Sequence, residues 1–150
     1  MKISDNGLKM IKEFEGISLK PYLDVVGVST IGWGNTYYPD GKKVTMNDKC
    51  ITKDEANSLL EYVANKDFAQ KIYPLIKAEV NQNQFDAMVS LAYNIGVGNF
   101  SKSTLLKKVN SGDFDGASNE FLKWNKSGGK ELLGLTKRRK REQDLFKMIV

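Results

Sequence analysis

The sequence predicts an α+β fold, with a small antiparallel β-lobe and a larger helical lobe. Three observations predict it. Two capping boxes, Thr52-Lys53-Asp54-Glu55 and Asn81-Gln82-Asn83-Gln84, each head an apolar stripe at helical spacing. Residues 17–50 instead carry short β-branched runs broken by glycines. The chain has 150 residues, enough for one domain with a real core or for two small lobes.

The first helix is expected from about Ser4 to Glu15. Ser4 or Asp5 can cap it, Gly16 can stop it, and Leu8, Ile11 and Phe14 form its apolar stripe. Val25–Val28 and Ser29–Gly34 then read as strand and turn, with Gly27, Gly32 and Gly34 marking tight turns or close backbone approach. Pro39-Asp40-Gly41 is a further turn. Together these predict a three-stranded antiparallel sheet. Lys42-Lys43 reads as a solvated face, with binding of an anionic glycan as the rival reading.

From Thr52 a long helix is expected to about Ile72, with Leu59, Leu60, Val63 and Phe68 inward and Pro74 ending or bending it. The helix Gln82–Ile95 carries a core stripe of Phe85, Met88, Val89 and Ala92. Ser101 and Asp113 can cap two further helices, ending near Asn110 and Trp124, with Trp124 in the core. Asn110-Ser111-Gly112 and Ser127-Gly128-Gly129 are turns. The last helix is expected from about Leu135 to Met148, with Leu145, Phe146 and Ile149 on its apolar side.

Composition narrows the chemistry. There is no histidine, which removes the usual zinc sites and every Ser-His or Cys-His mechanism. The one cysteine, Cys50, excludes an intrachain disulfide framework and reads as a small semi-buried residue. Carboxylates remain as the obvious general acid–base groups. The net charge of +5 favours polyanionic partners such as nucleic acid, anionic membrane surfaces or the bacterial envelope, without choosing among them. The N-terminus lacks the apolar segment of a signal peptide, and no apolar run approaches a bilayer-spanning length.

Residues 15–36 hold the candidate chemistry. Glu15 sits where a helical pattern stops, Asp24 follows in a turn-like setting, and Thr30 lies in an alternating apolar run. A hairpin between them lets both carboxyls and the hydroxyl face one cleft. Acetal hydrolysis needs such a pair: one protonated group to give a proton to the leaving oxygen, and one ionised group to activate water or steady an oxocarbenium-like transition state. The negative end of the helix dipole lies at Glu15, which suits a residue that must hold a proton.

Glu15-Gly16, Pro21-Tyr22, Asp24, Gly27, Thr30-Ile31-Gly32 and Gly34-Asn35-Thr36 resemble the active-site signature of the phage-type lysozymes, glycoside hydrolase family 24, the endolysins of tailed bacteriophages. Gln84–Gly98, Phe100, Ser103-Thr104-Leu105, Trp124, Gly134-Leu135, Arg138-Arg139 and Glu142 extend the resemblance over nearly the whole chain. One departure is plain: the family usually has His where this chain has Asn35.

The resemblance implies a single lysozyme-like catalytic domain. A β-lobe at about residues 16–51 is joined by a linking helix at about 52–73 to a helical lobe at about 81–150, on which the first helix packs. It implies a muramidase that cleaves the β-1,4 bond between N-acetylmuramic acid and N-acetylglucosamine in bacterial peptidoglycan. Glu15 is then the acid, Asp24 the base or stabilising carboxylate, and Thr30 the residue that orients water. It places Gly34, Thr36, Tyr93, Asn94 and Ser103 as substrate-binding. Helix-end packing stands as an equal reading for Tyr93 and Asn94, and a helix-start role for Ser103.

Arg138 matches an arginine that pairs with the catalytic Glu, and Asn35 takes a supporting, structural position. Inversion of configuration is expected by analogy. No cofactor or metal is implied. The chain is expected to be a monomer, made in the host cytoplasm and acting in the periplasm after a separate holin opens the way. Neither specific nucleic-acid binding nor stable membrane insertion is expected, though weak binding to the anionic envelope is allowed. The rivals are a lytic transglycosylase on the same bond and a non-catalytic basic module that binds wall or nucleic acid. Lys137–Arg141, five basic residues in a row, carries the nucleic-acid reading, although on a helix such a run points all round the axis.

Overall fold

A computed structural model describes residues 1–148. Ile149, expected on the apolar side of the last helix, lies outside the described residues. The first helix, α1 (Asp5–Glu15), is capped by Ser4, whose hydroxyl accepts from Gly7 N at 3.2 Å. Gly16 ends it at φ 69°, a conformation that favours glycine. A hairpin follows, β1 (Ser18–Leu23) antiparallel to β2 (Ser29–Gly32), with Tyr22 opposite Thr30.

The expected third strand does not form. Gly32 and Gly34 both take positive φ, so the chain reverses at once and Asn35 pairs back with Ile31. The next segment makes one isolated bridge, Tyr37 with Lys43, before the chain leaves the sheet. A second hairpin, missed from the sequence because its strands are two residues long, joins β3 (Lys126–Ser127) to β4 (Lys130–Glu131). Gly128 and Gly129, both at positive φ, supply its turn.

The capping box at Thr52 starts α2 (Lys53–Val63) as expected. The helix then widens into a π-helical segment, Ala64–Ala69, before a short α3 (Gln70–Ile72) and a 3-10 turn, Tyr73–Leu75, that contains Pro74. The second capping box starts α4 (Gln82–Ile95). Two short helices follow, α5 (Val97–Ser101) and α6 (Thr104–Asn110). Ser103 caps α6, accepting from Leu106 N at 3.1 Å, whereas Ser101 ends α5. Asp113 caps α7 (Phe114–Glu120). The last helix, α8 (Leu133–Lys147), begins two residues earlier than expected. Trp124 is only partly buried, at the edge of the core. Cys50 is exposed rather than semi-buried. Among the described residues no helix is long and apolar enough to cross a membrane.

Helix α4 runs through the middle. Residues 85–92 are all buried, not only the predicted stripe, because other elements cover every side of it. Its two buried polar residues, Asp86 and Ser90, are one turn apart and therefore on one face. Asp86 accepts from Ser4 N at 3.0 Å, from the Ser4 hydroxyl and from Gln82 Nε2 at 2.8 Å, which ties the start of α1 to α4. Ser90 donates to Glu142 of α8 at 2.5 Å. A smaller apolar cluster of Ile31, Val44, Leu59 and Val63 joins the β-rich segment to α2.

The Ser4–Asp86 tie needs α1 and α4 close together, and Gly7 permits that approach. A Cβ at Gly7 would lie 2.7 Å from Ile3 Cγ1 and 2.8 Å from Asp86 Cγ. Helix propensity alone makes Gly→Ala stabilising by about 1 kcal/mol. Gly7→Ala is expected to do the opposite, lowering stability by about 1–2 kcal/mol through overpacking against a hydrogen-bonded carboxylate. A urea-unfolding midpoint above that of the wild type contradicts this.

Candidate active site

Glu15 stands at the last position of α1, and its carboxyl is held from behind by α8. Its Oε2 accepts from Arg138 Nη1 at 2.7 Å. Arg138 is 3% exposed, and each arm of its guanidinium is engaged. Nε donates to Glu142 Oε2 at 3.3 Å and Nη2 to the Ser90 carbonyl at 3.2 Å. The guanidinium carbon also lies 5.7 Å from the centre of the Phe14 ring, a cation–π contact one residue before Glu15.

Glu142, fully buried, is shared between two arginines. Arg139 Nη2 donates to its Oε2 at 3.3 Å, and Arg139 Nε lies 2.8 Å from Oε1, a charge contact off the hydrogen-bonding direction. Burial pushes the Glu142 carboxyl up from the usual glutamate range, against the pull of Arg139, Arg138 and the Ser90 hydroxyl. The expected pairings of Arg138 with Glu15, and of Glu142 with a neighbouring arginine, are thus both present as contacts. Ser90, which completes the cluster, carried no sequence signal beyond a polar residue in an apolar stripe.

Glu15 Oε1 faces the other way, toward the β-rich segment. A Cβ on Gly34 would stand 2.7 Å from it, and Gly34 has φ +81°. Glu15, Gly34, Asn35, Thr36, Tyr93 and Asn94 line one cavity of about 260 Å³. Tyr37 and Phe68 line it too, and sequence reasoning missed both. The Tyr37 hydroxyl donates to Asp67 Oδ2 at 2.5 Å, so the cavity wall is tied to the π-helical segment. Phe68 lies in the same segment and packs on Tyr93 with ring centres 5.0 Å apart.

Tyr93 both packs at the helix end and faces the cavity. Its ring packs on Phe68 and lines the cavity, while its hydroxyl donates to the Trp33 carbonyl at 3.1 Å. Burial, with Glu15 second, pushes that phenol up. The hydroxyl also accepts from Asn35 Nδ2 at 3.1 Å. Asn35 is 3% exposed, and its Oδ1 accepts from Trp33 N at 3.3 Å. The residue that departs from the family pattern therefore closes the glycine turn and bonds it to α4.

Asp24 and Thr30 do not line this cavity. They lie together at one end of the hairpin, Asp24 just after β1 and Thr30 within β2, both bonded to Val28. Asp24 Oδ1 accepts from Val26 N and Val28 N, both at 2.9 Å, which fixes the carboxylate, while Oδ2 has no partner among the described residues. Thr30 Oγ1 donates to the Val28 carbonyl at 2.8 Å, which leaves its lone pairs to accept. Tyr22 is the link. It pairs with Thr30 across the hairpin, and its phenol is pushed up by burial and then by the charges of Glu15 and Asp24. Ser103 is in neither group. It is 4% exposed, its hydroxyl donates to the Phe100 carbonyl and accepts from Leu106 N, and it acts as a helix cap.

The closeness of Gly34 to Glu15 makes a direct test. Gly34→Ala adds about 1–2 kcal/mol of left-handed strain and forces the Glu15 carboxyl from its place. Catalytic groups displaced by about 1 Å lose activity steeply, so lytic activity on purified cell walls is expected to fall at least about tenfold while the protein stays folded. Wild-type activity in the alanine variant contradicts the placement.

Comparison with known proteins places the chain in one family. The family described as phage lysozyme matches residues 12–142. The endolysin of Bacillus phage B103 is 45% identical over 97% of this chain, which spans only 54% of that relative's length. The endolysin of Acyrthosiphon pisum secondary endosymbiont phage 1 is 44% identical over 97% of this chain and 98% of its own. Among solved structures, the endolysin from Escherichia coli O157:H7 phage FAHEc1 superposes with a TM-score of 0.89 at 37% identity, covering 98% of this chain and 94% of that one. The chain belongs to the phage lysozyme family.

Proposed function

We propose that the chain is an endolysin, a glycosidase of the lysozyme type. It hydrolyses the β-1,4 bond between N-acetylmuramic acid and N-acetylglucosamine in bacterial peptidoglycan and so lyses the host at phage release. The observation that carries this reading is the two-sided setting of Glu15. Arg138 holds one carboxyl oxygen from within the fold, and the other is turned into a cavity lined by Tyr93, Asn94 and Thr36. Such a carboxyl is positioned to protonate a leaving glycosidic oxygen.

Asp24 is the second carboxylate. Two backbone N–H groups fix its Oδ1, so Oδ2 stands in a set direction to activate a water or to steady the positive transition state. Thr30 accepts from that water and orients it. Gly34, Thr36, Tyr93 and Asn94 bind the sugar: the amide and hydroxyls bond its polar groups, and the aromatic ring offers a face. Asn35 and Arg138 support these groups from behind. The catalytic unit comprises the β-rich part at about 16–51, the linking helix at about 52–73 and the helical part with α1. The chain works as a monomer. It is made in the host cytoplasm and passes to the periplasm once a separate holin has opened the membrane. Inversion remains the expected stereochemistry and requires the two carboxyls to stand roughly 6.5–9.5 Å apart.

The rival readings are weakened by particular residues. A transglycosylase needs neither Asp24 held by two amides nor a hydroxyl beside it. A nucleic-acid module needs the run Lys137–Arg141 on its surface, yet Arg138 and Arg139 are buried in the Glu142 cluster.

Digestion of purified peptidoglycan, with mass analysis of the released muropeptides, tests the reading. The wild type is expected to leave reducing N-acetylmuramic ends. Glu15→Gln is expected to lose about a hundredfold to ten-thousandfold in rate while folded, and Asp24→Asn about tenfold to a thousandfold. Anhydro-muramic ends would instead mean a transglycosylase, and strong lysis by folded Glu15→Gln would remove Glu15 from the acid role.

A further inference from the structure

A second cavity, of about 600 Å³, adjoins the one at Glu15. Thr36 and Tyr37 line both. Its other walls include Val28, which bonds both Asp24 and Thr30, Ser29 at the start of β2, and Gly41, Lys43 and Val44. The two cavities therefore meet at Thr36 and Tyr37, with Glu15 on one side, Lys43 on the other and the Asp24 turn on the flank.

The charges in the two cavities are ordered. The cavity at Glu15 is lined by that one acid and by no base. The second cavity is lined by one base, Lys43, and by no acid. The Tyr37–Lys43 bridge sets this arrangement, because directly opposed residues of an antiparallel pair send their side chains to the same face. Lys42, one position earlier, does not line the cavity. Lys43 is exposed and forms no ion pair among the described residues.

We infer that Lys43 is a register-setting residue: its ammonium binds a carboxylate carried by a muramyl residue that lies one or more sugars away from the bond at Glu15. The inference rests on the proposed muramidase function. A peptidoglycan strand alternates a sugar that carries such a group with one that does not. A cation at a fixed distance from Glu15 therefore favours one of the two alternating registers. The carboxylate has two sources. In peptide-bearing strands the lactyl group is amidated and the charge sits on the stem peptide. In strands stripped by an amidase the lactyl carboxylate itself is free.

The test compares wild type, Lys43→Ala and Lys43→Arg on three soluble glycan substrates: peptide-bearing strands, amidase-stripped strands, and stripped strands whose lactyl carboxylates have been converted to amides. Loss of an exposed charge contact is expected to raise KM about twofold to fivefold in Lys43→Ala, with kcat unchanged within error. The rise appears on the strands that carry the recognised carboxylate and identifies its source. It is absent on the fully amidated strands, shrinks in high salt, and is recovered in Lys43→Arg.

An unchanged KM on both carboxylate-bearing substrates overturns the inference. So does an equal rise on all three, which would mean a structural role. Wild-type turnover in each arm separates the two hypotheses: failure to release reducing muramic ends from any strand sinks the muramidase reading rather than the role of Lys43.

Discussion

One guanidinium fixes where the Glu15 carboxyl sits. Arg138 is buried, and a buried arginine is tolerable only if its charge and its donors are matched. Glu15, Glu142 and the Ser90 carbonyl match them. Removing one partner of such a cluster leaves another charge stranded in a low-dielectric interior, at a cost of about 3–5 kcal/mol. The cluster therefore does more than orient a side chain: it joins α1, α4 and α8 at the floor of the cleft. Asp86, one turn before Ser90 on α4, repeats the device at the far end of α1. The two ends of the first helix are thus pinned to one face of the central helix, and the last residue of that first helix is Glu15.

Polar links tie the β-rich part to this frame, and two of them stand beside the cavity. Asn35 reaches Tyr93 of α4, and Tyr37 reaches Asp67 in the π-helical segment. Both links leave from the residues just after the glycine turn that passes against Glu15. Gly34 lets that backbone come close, Asn35 locks the turn, and Thr36 and Tyr37 carry the chain along the cavity wall. A histidine at position 35 would bring a titratable ring into the pocket that Asn35 fills with an uncharged amide. This chain therefore joins its two parts through a link that does not titrate between pH 5 and 8.

Much of this could be read in the sequence, and the reasons differ from residue to residue. The capping boxes at Thr52 and Asn81 are local chemistry, so both helices start where the sequence places them. Glu15, Asp24 and Thr30 could be picked out by their spacing and by resemblance, and Arg138 by resemblance alone. The third strand fails because Gly32 and Gly34, both at positive φ, reverse the chain as soon as β2 ends, and strand propensity gives no account of reversals that tight. Ser103 was ambiguous in sequence because a serine before a helix looks the same whether it faces a cleft or its own helix, and only burial shows that it caps. The buried face of α4 at Asp86 and Ser90 and the links through Tyr37 and Phe68 depend on contacts between distant segments. No local pattern encodes those.

The measurement that bears most directly on this account is the steady-state kinetics of Arg138→Lys, read beside its unfolding midpoint. Lysine keeps the positive charge but offers one point of contact instead of a planar fork, and it cannot reach Glu15, Glu142 and Ser90 together. If the guanidinium places the catalytic carboxyl, the variant folds with reduced stability. Its kcat falls at least about tenfold, and KM stays within about threefold. Wild-type kcat in a folded Arg138→Lys protein would show that Glu15 is positioned without the fork, and the central claim would fail.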